Sequence, residues 1–129
     1  SKDPLCTIGA HTLNHYALKK LNAADAKHEM EASAQIITQE LRRPVRHFAF
    51  PYGDKAEAGP REFSLAAAAG FTSAVVTRKG VIHDGHANHL HALPRVMLSG
   101  RYQKLRYVKA LLTGTPLALL NGLRKIDVN

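Results

Sequence analysis

Short apolar runs alternate with stretches of helical periodicity along the 129 residues of this chain. The clearest helix is predicted over residues 23–42, where apolar side chains recur at spacings of four, four, three and four residues. Asn22 precedes this segment and Asp25 follows it three residues later, a pattern typical of a capped helix start. The apolar positions are Ala26, Met30, Ala34, Ile37 and Leu41.

Four apolar runs predict strands, because each is short and bounded by turn residues. They cover residues 5–10, 45–50, 71–77 and 93–98, and Arg78-Lys79-Gly80 is expected to end the third. A shorter helix is predicted between the second and third strands, opened by Gly59-Pro60 and closed by Gly70. The alternation of strands and helices predicts the α/β fold class, with too few repeats to close a barrel.

The composition is typical of one globular domain, with 45% hydrophobic and 22% charged residues. The single cysteine, Cys6, excludes an internal disulfide. No run of about 18 apolar residues indicates a membrane span, and no charged-then-apolar start indicates a signal peptide. We expect residues 1–100 to form the folded body and residues 101–129 a helical tail that packs on it.

Basic charge is concentrated in the last third of the chain. The net charge is +8, and no acidic residue lies between Asp84 and Asp127. Leucines are interleaved there with Arg95, Arg101, Lys104, Arg106, Lys109, Arg124 and Lys125. This pattern predicts a basic amphipathic helical tail, broken near Gly114-Thr115-Pro116.

Two uses of this tail remain open. Its leucine face packs on the rest of the domain, which we favour, or it binds an anionic membrane surface or an acidic polymer. Nucleic acid is not expected as a partner, because charge alone favours it and the chain has four Tyr, four Phe and no Trp.

Candidate chemistry begins with His11-Thr12-Leu13-Asn14-His15. Two histidines four residues apart on a helical turn point the same way and can bind one divalent metal ion. The expected strand over residues 5–10 would deliver them to the carboxyl edge of the sheet, where α/β folds keep their chemistry. The zinc-protease motif is excluded because Thr12 stands where that motif has Glu. The spacing also occurs in capped helix turns that bind nothing.

A histidine-rich segment lies farther along the chain. It contains His83, His86, His89 and His91. Such a tract is either a second metal site or a flexible loop, and we favour the loop.

Three segments resemble motifs of the polysaccharide deacetylases with a NodB-homology domain, also called carbohydrate esterase family 4. The run Ile8-Gly9-Ala10-His11-Thr12-Leu13-Asn14-His15 is similar to the family's metal-binding His-(Ser/Thr)-x-x-His motif. Phe48-Ala49-Phe50-Pro51-Tyr52-Gly53 is similar to its groove-wall motif, and Ala69-Gly70-Phe71 leads a strand as in the family. The order and spacing of the three segments are more specific than any one of them.

This resemblance implies part of a distorted (β/α) barrel, typically of seven strands, that removes acetyl groups from N-acetylated sugars or polysaccharides. Zn²⁺ or a similar divalent ion would be the cofactor. The family's Asp-Asp pair, which supplies the catalytic base and the third metal ligand, would lie upstream of Ser1. We therefore expect this chain to be inactive by itself. The alternative is a non-catalytic module that binds a glycan or an anionic surface.

The resemblance also implies site residues. His11 and His15 would be the metal ligands, and the backbone N–H of Tyr52 would donate to the oxyanion. Phe50, Pro51 and Tyr52 would line the sugar groove. A cell-envelope or extracytoplasmic location follows from the family, although the chain carries no signal for it.

Two family features lack a direct match. Many members carry an orienting Arg two residues before the motif Pro, where this chain has Ala49. Arg95 is the candidate for that role. The alternative is that Arg95 is an ordinary surface arginine. His91 is the candidate general acid, with His89 the other nearby histidine. Because a partial barrel leaves sheet edges unpaired, we also predict a homodimer through these edges, unless the chain departs from the barrel arrangement.

Overall fold

A computed structural model of the chain describes residues 3–100, 103–124 and 126. Within these residues the strands are β1 (His47–Ala49), β2 (Ser73–Lys79) and β3 (Leu93–Arg95). The helices are α1 (Ala23–Leu41), α2 (Pro60–Ala68), α3 (Leu105–Leu112) and α4 (Thr115–Leu120). Short 3-10 helices occupy Leu18–Lys20 and Asp84–Asn88. The predicted α/β class is confirmed.

The strands form one parallel sheet in the order β1-β2-β3. His47 pairs with Ser73 between β1 and β2, and Lys79 pairs with Arg95 between β2 and β3. Neighbours in the sheet are therefore neighbours in the chain, the strand order that a (β/α) barrel uses. Closure into seven strands and a dimer through the sheet edges stay predictions.

Helix α1 matches its sequence signals closely. Asn22 Oδ1 accepts a hydrogen bond from the Asp25 backbone N–H at 2.9 Å, as the cap pattern predicted. Ala26 and Met30 are completely buried in the hydrophobic core, so the apolar stripe faces the core. The helix ends at Leu41, one residue before its predicted end, where Arg42 takes the left-handed conformation with φ 52°.

The core is built around aromatic side chains that converge from β1, α2 and the start of β2. The Phe48 ring lies 5.1 Å from the Phe50 ring and 5.0 Å from the Phe71 ring, between centroids. Phe63 of α2 contacts Phe50 at 5.5 Å. Such pairs add about 0.5–1.5 kcal/mol each beyond the area they bury.

The strand predicted over residues 5–10 is wrong except at its last residue. Only Ala10 pairs with β1: its N–H donates to the His47 carbonyl at 2.8 Å, and its own carbonyl accepts from Ala49 N–H at 3.0 Å. Upstream, the Asp3 carboxylate accepts the Leu5 N–H at 2.8 Å and forms a local turn instead. A strand needs neighbours to pair with, and residues 3–9 find none in the described structure.

The ends of the other strands also differ from the predicted ends, and the strands stop earlier in some cases and later in another. β1 and β3 are shorter than predicted, whereas β2 continues through Arg78 and Lys79, which were expected to end it. Arg78 is buried: its guanidinium donates to the Ala58 carbonyl and lies 5.3 Å from the centroid of the Phe63 ring. Tertiary partners therefore let a charged residue continue a strand whose sequence indicated a stop.

The tail forms two helices on either side of Gly114, close to the predicted break. Leu117 of α4 is 6% exposed, but α3 buries no residue. The favoured expectation that the leucine face packs on the domain is therefore wrong for α3, because contact with the body is made by the turn and by α4. Arg101 and Lys125 lie outside the described residues. None of the described helices is both long and apolar enough to cross a bilayer.

Candidate functional site

The segment after Ala10 is a loop, so the predicted helical turn for His11 and His15 is wrong. Thr12 and His15 both have positive φ angles, 64° and 58°, which no α-helix contains. The Thr12 hydroxyl accepts a hydrogen bond from the His15 N–H at 3.1 Å and closes the loop locally. The two histidines nevertheless meet, because the chain reverses between them.

The His11 and His15 rings are in edge contact, with their centroids 4.8 Å apart and both side chains exposed. His11 Nδ1 lies 2.6 Å from the Ala49 carbonyl oxygen. A carbonyl only accepts, so Nδ1 carries the proton and Nε2 presents a lone pair. Metal-binding histidines have this arrangement, since the second ring nitrogen is usually held by a backbone or carboxylate oxygen. The donor set therefore fits a divalent ion such as Zn²⁺.

The histidine loop is held in place by Glu29, a buried residue of α1 that the sequence reading missed. Glu29 Oε2 accepts hydrogen bonds from the backbone N–H groups of Leu13 and Asn14, each at 2.9 Å. Glu29 Oε1 accepts from the Asn14 side-chain amide at 2.6 Å. A buried carboxylate thus organises the turn between the two histidines.

These contacts change the acidity of Glu29. Burial by itself raises the pKa of the carboxyl, but the hydrogen bonds from Asn14 and Leu13 and the nearby His28 outweigh it, and the pKa is lowered. The group is therefore ionised at neutral pH. Its charge is what lets it accept three hydrogen bonds from one loop.

The loop after β1 places Tyr52 beside the histidines. The Tyr52 ring lies 4.9 Å from the His15 ring, and the residue has a positive φ of 59°. Its carbonyl accepts from the Thr77 hydroxyl of β2. No described residue accepts a hydrogen bond from the Tyr52 backbone N–H. Gly53 is required next, since at φ 65° an added Cβ would lie 2.8 Å from Thr77 N.

A shallow cavity of about 280 Å³ adjoins the histidine pair. Its walls are formed by His15, Tyr16, Ala17, Lys20, Tyr52 and Glu57. Tyr16 is 53% exposed and Tyr52 is 58% exposed, so both phenol rings are available to a ligand. Tyr16 was not among the predicted site residues, although an aromatic residue directly after the second histidine was the signal that could have found it.

Phe50 and Pro51 do not line this cavity. Both are buried, and Phe50 is only 1% exposed because it packs in the aromatic core. Of the three residues predicted to contact substrate, the structure therefore brings only Tyr52 to the surface beside the histidines.

The sequence model for polysaccharide deacetylase matches residues 1–74, which include the histidine pair and the Tyr52 loop. The chain belongs to the polysaccharide deacetylase family. No curated protein matches the sequence.

Two solved structures share the fold. The deacetylase PplD of Streptococcus pyogenes, in complex with acetate, superposes with a TM-score of 0.69 at 23% identity, over 82% of this chain and 43% of PplD. IcaB from Ammonifex degensii superposes with a TM-score of 0.65 at 20% identity, over 84% of this chain and 46% of IcaB. The chain thus spans less than half the length of either protein.

Within this deacetylase fold, His91 is not placed beside the histidine pair. His91 Nε2 lies 2.7 Å from the Phe71 carbonyl oxygen, just before the amino end of β2. The His11, His15 and Tyr52 cluster lies beyond the carboxyl end of β1, and parallel strands place these ends at opposite edges of the sheet. The structure therefore separates the predicted general acid from the predicted metal ligands.

Arg95 lies at the carboxyl edge of the sheet, opposite Lys79 of β2. Its Nε donates to the Val76 carbonyl at 2.8 Å, which ties β3 to β2. Among the described residues it has no hydrogen bond to either histidine of the pair or to Tyr52. An orienting role for Arg95 stays a prediction.

The described residues contain no cluster of three or more His, Cys, Asp or Glu side chains that could hold a metal ion. The His11 and His15 pair thus supplies two of the three protein ligands that a catalytic zinc usually has.

Proposed function

We propose that this chain is part of a metal-dependent hydrolase that removes N-acetyl groups from an acetylated sugar or polysaccharide. The observation that carries the proposal is the contact between His11 and His15, beside Tyr52, in a member of the polysaccharide deacetylase family. PplD, whose fold is similar, is a deacetylase in complex with acetate. Acetate is the product expected from this reaction.

The two imidazoles would hold Zn²⁺ or a similar divalent ion. His11 would use Nε2, because its Nδ1 proton is committed to the Ala49 carbonyl at 2.6 Å. A bound ion of this kind lowers the pKa of water and polarises the acetyl carbonyl. Glu29 contributes by positioning, since its carboxylate fixes the loop that carries both ligands.

Tyr52 would stabilise the oxyanion that forms when the amide is attacked. Its backbone N–H has no acceptor among the described residues, and its ring lies 4.9 Å from the His15 ring. The Thr77 hydroxyl fixes the same peptide segment from β2. Loss of one oxyanion donor typically costs about 3 kcal/mol of transition-state stabilisation.

The cavity next to His15 would hold the sugar that carries the acetyl group. Tyr16 and Tyr52 offer apolar ring surface to a sugar, and Lys20 and Glu57 offer polar groups at the rim. A volume of about 280 Å³ suits a single sugar unit better than a long segment of polymer.

We also propose that the chain is inactive by itself. The two imidazoles need a third ligand and a carboxylate base, and the described residues bring no third metal ligand to them. Glu29 is not free for this work because its two oxygens already accept hydrogen bonds from the loop.

The test is zinc calorimetry combined with acetate release from an N-acetylated oligosaccharide, performed on the full-length protein and on this chain. We expect one zinc ion per full-length molecule, and an affinity at least about 100-fold lower in His11→Ala. His47→Ala is the matched control, since His47 is an exposed histidine whose Nδ1 lies 2.9 Å from Ser73 Oγ.

Unchanged zinc affinity in His11→Ala would refute the assignment of the ligands. Full acetate release by this chain alone would refute its inactivity. A full-length protein that binds oligosaccharide but releases no acetate would favour the alternative, a non-catalytic glycan-binding module.

A further inference from the structure

Residues 103–124 are fixed to the body of the domain. We call residues 103–124 the tail platform; it comprises α3, the turn at Gly114, α4 and the turn that follows. Gly114 contacts Val81 so closely that an added Cβ would lie 2.9 Å from Val81 Cγ2. Leu117 is buried, and the Asn121 side-chain amide donates to the Lys79 carbonyl at 2.9 Å. The body therefore anchors the platform along one side.

The platform nevertheless leaves several of its leucines exposed to solvent. Leu105 is 67% exposed and Leu112 is 65% exposed, at the two ends of α3. The other exposed leucines are Leu119, Leu120 and Leu123. Exposed leucines at this density indicate a surface that binds something apolar.

The same platform is purely cationic. Its exposed charges are Lys104, Arg106, Lys109 and Arg124, and the sequence has no acidic residue from 85 to 126. On α3, Leu105, Val108 and Leu112 share one side of the helix. Lys109, four residues after Leu105, borders that side, and Arg106 lies next to Lys109 around the helix. The ion pairs that the structure describes, Lys27–Glu31 and Arg61–Glu62, lie elsewhere.

We propose that the tail platform docks on the surface of an anionic lipid bilayer. Packing within the described residues does not account for the leucines of α3, since that helix buries no residue. A soluble polyanion would pair with the basic residues but would leave the leucines in water. A bilayer with anionic headgroups complements both features, since leucines enter the acyl boundary while Lys and Arg pair with headgroup phosphates. The helices are too short to span a membrane, so the contact is a surface contact.

This surface lies near the candidate site. Leu120 and Met97 border a groove of about 470 Å³ that also reaches Asp54 and Thr77. Thr77 is the residue whose hydroxyl fixes the Tyr52 carbonyl. Docking would therefore hold the carboxyl edge of the sheet close to the membrane surface. The proposal itself stands independently of the metal chemistry.

The experiment is vesicle co-sedimentation of this chain, with phosphatidylcholine vesicles compared with vesicles of equal parts phosphatidylcholine and phosphatidylglycerol. We expect binding only to the anionic vesicles, weakening as salt is raised. The double variant Arg106→Gln/Lys109→Gln should bind roughly 30-fold more weakly. Arg42→Gln/Arg43→Gln is its control, because it removes the same charge from exposed residues after α1.

The role of the leucines is tested by a separate variant with its own control. Leu105→Ser/Leu112→Ser should abolish sedimentation with vesicles, whereas Leu5→Ser should not, since Leu5 is 94% exposed but lies outside the platform. All these positions are exposed, and circular dichroism will verify that each variant is folded.

Three results would overturn the proposal. The first is equal vesicle binding by the platform variants and their controls. The second is binding to heparin without binding to vesicles, which would make the platform a polyanion site. The third is a dimer that Leu105→Ser/Leu112→Ser dissociates, together with no vesicle binding, which would assign the leucines to a second copy of the chain.

Discussion

Two pairs of histidines contact each other in this protein, and they differ in what their ring nitrogens are free to do. The His11 and His15 rings lie 4.8 Å apart, and the His83 and His86 rings lie 4.2 Å apart. By distance alone, the second pair is the better metal site.

Hydrogen bonds reverse that ranking. His83 Nδ1 accepts from Gly85 N–H and His86 Nδ1 accepts from His83 N–H, both at 3.2 Å, while His86 Nε2 lies 2.9 Å from the Ile126 carbonyl oxygen. His86 is only 1% exposed. These rings therefore cap a short 3-10 helix, Asp84–Asn88, and contact the backbone of Ile126, so part of the segment expected to be a loop is helical. A metal site needs lone pairs that face solvent, and only the first pair combines exposure with an uncommitted Nε2.

The sharpest test of this contrast removes one histidine from each pair and measures both zinc affinity and stability. In the full-length protein, His11→Ala should lower zinc affinity at least about 100-fold with little change in stability. His86→Ala should leave zinc affinity unchanged but lower the free energy of unfolding by about 2–4 kcal/mol, because it removes two hydrogen bonds and leaves a cavity. Calorimetry and urea unfolding measure the two effects. If both variants lose zinc, the distinction between the pairs is wrong.

The second prediction concerns the support behind the exposed pair. Glu29→Gln should lower zinc affinity about 10-fold and destabilise the fold by about 1–3 kcal/mol, because an amide cannot accept all three hydrogen bonds from the loop. Glu31→Gln is the control, since Glu31 makes an exposed ion pair with Lys27 at 3.4 Å and should change stability by less than about 1 kcal/mol. Equal effects in the two variants would show that Glu29 does not position the loop.

The pH dependence of stability tests whether the charge of Glu29 supports the loop. Burial raises the pKa of Glu29, but the hydrogen bonds from Asn14 and Leu13 and the nearby His28 outweigh burial, so the pKa in the folded state lies below its ordinary value. The folded carboxylate therefore contributes stability above that value, and the contribution is lost as the pH falls through the lowered pKa. The stability difference between wild type and Glu29→Gln, measured by urea unfolding, should shrink in that acidic range. A difference that stays constant there would contradict the ionic explanation.

The smallest effect is expected at the rim of the cavity. Tyr16→Ala should raise the KM for an N-acetylated oligosaccharide several-fold while zinc affinity stays the same, because Tyr16 borders the cavity without contributing a metal ligand. Tyr107→Ala, which removes a 37% exposed tyrosine from the tail platform, is the control. A fall in kcat alone would place Tyr16 in the chemistry instead of in sugar binding.

The helices are the part of the fold that local sequence signals predict well. The Asn22 cap, the apolar stripe of α1, the Pro60 start of α2 and the break at Gly114 are all found where the sequence predicted them. Each depends on residues within one or two helical turns, so its signal is present in the chain itself.

The geometry of the candidate site was not predicted by such local signals. Its two metal-ligand candidates were recognisable by type and spacing, but their helical geometry was wrong, because Glu29, 14 residues beyond His15, determines the loop. Phe50 was predicted at the groove and lies in the core, because partners from α2 and β2 cover it.

The sequence by itself determined which residue types this protein offers for chemistry, where its helices begin and end, and the family to which it belongs. Tertiary structure decided which of those residues meet. It brought Tyr52 to His15, left His91 at the opposite edge of the sheet, and used His83 and His86 in caps. The physical reason is that a helix cap depends on neighbouring residues, whereas burial, strand pairing and the partner of a ring nitrogen depend on segments distant in the chain.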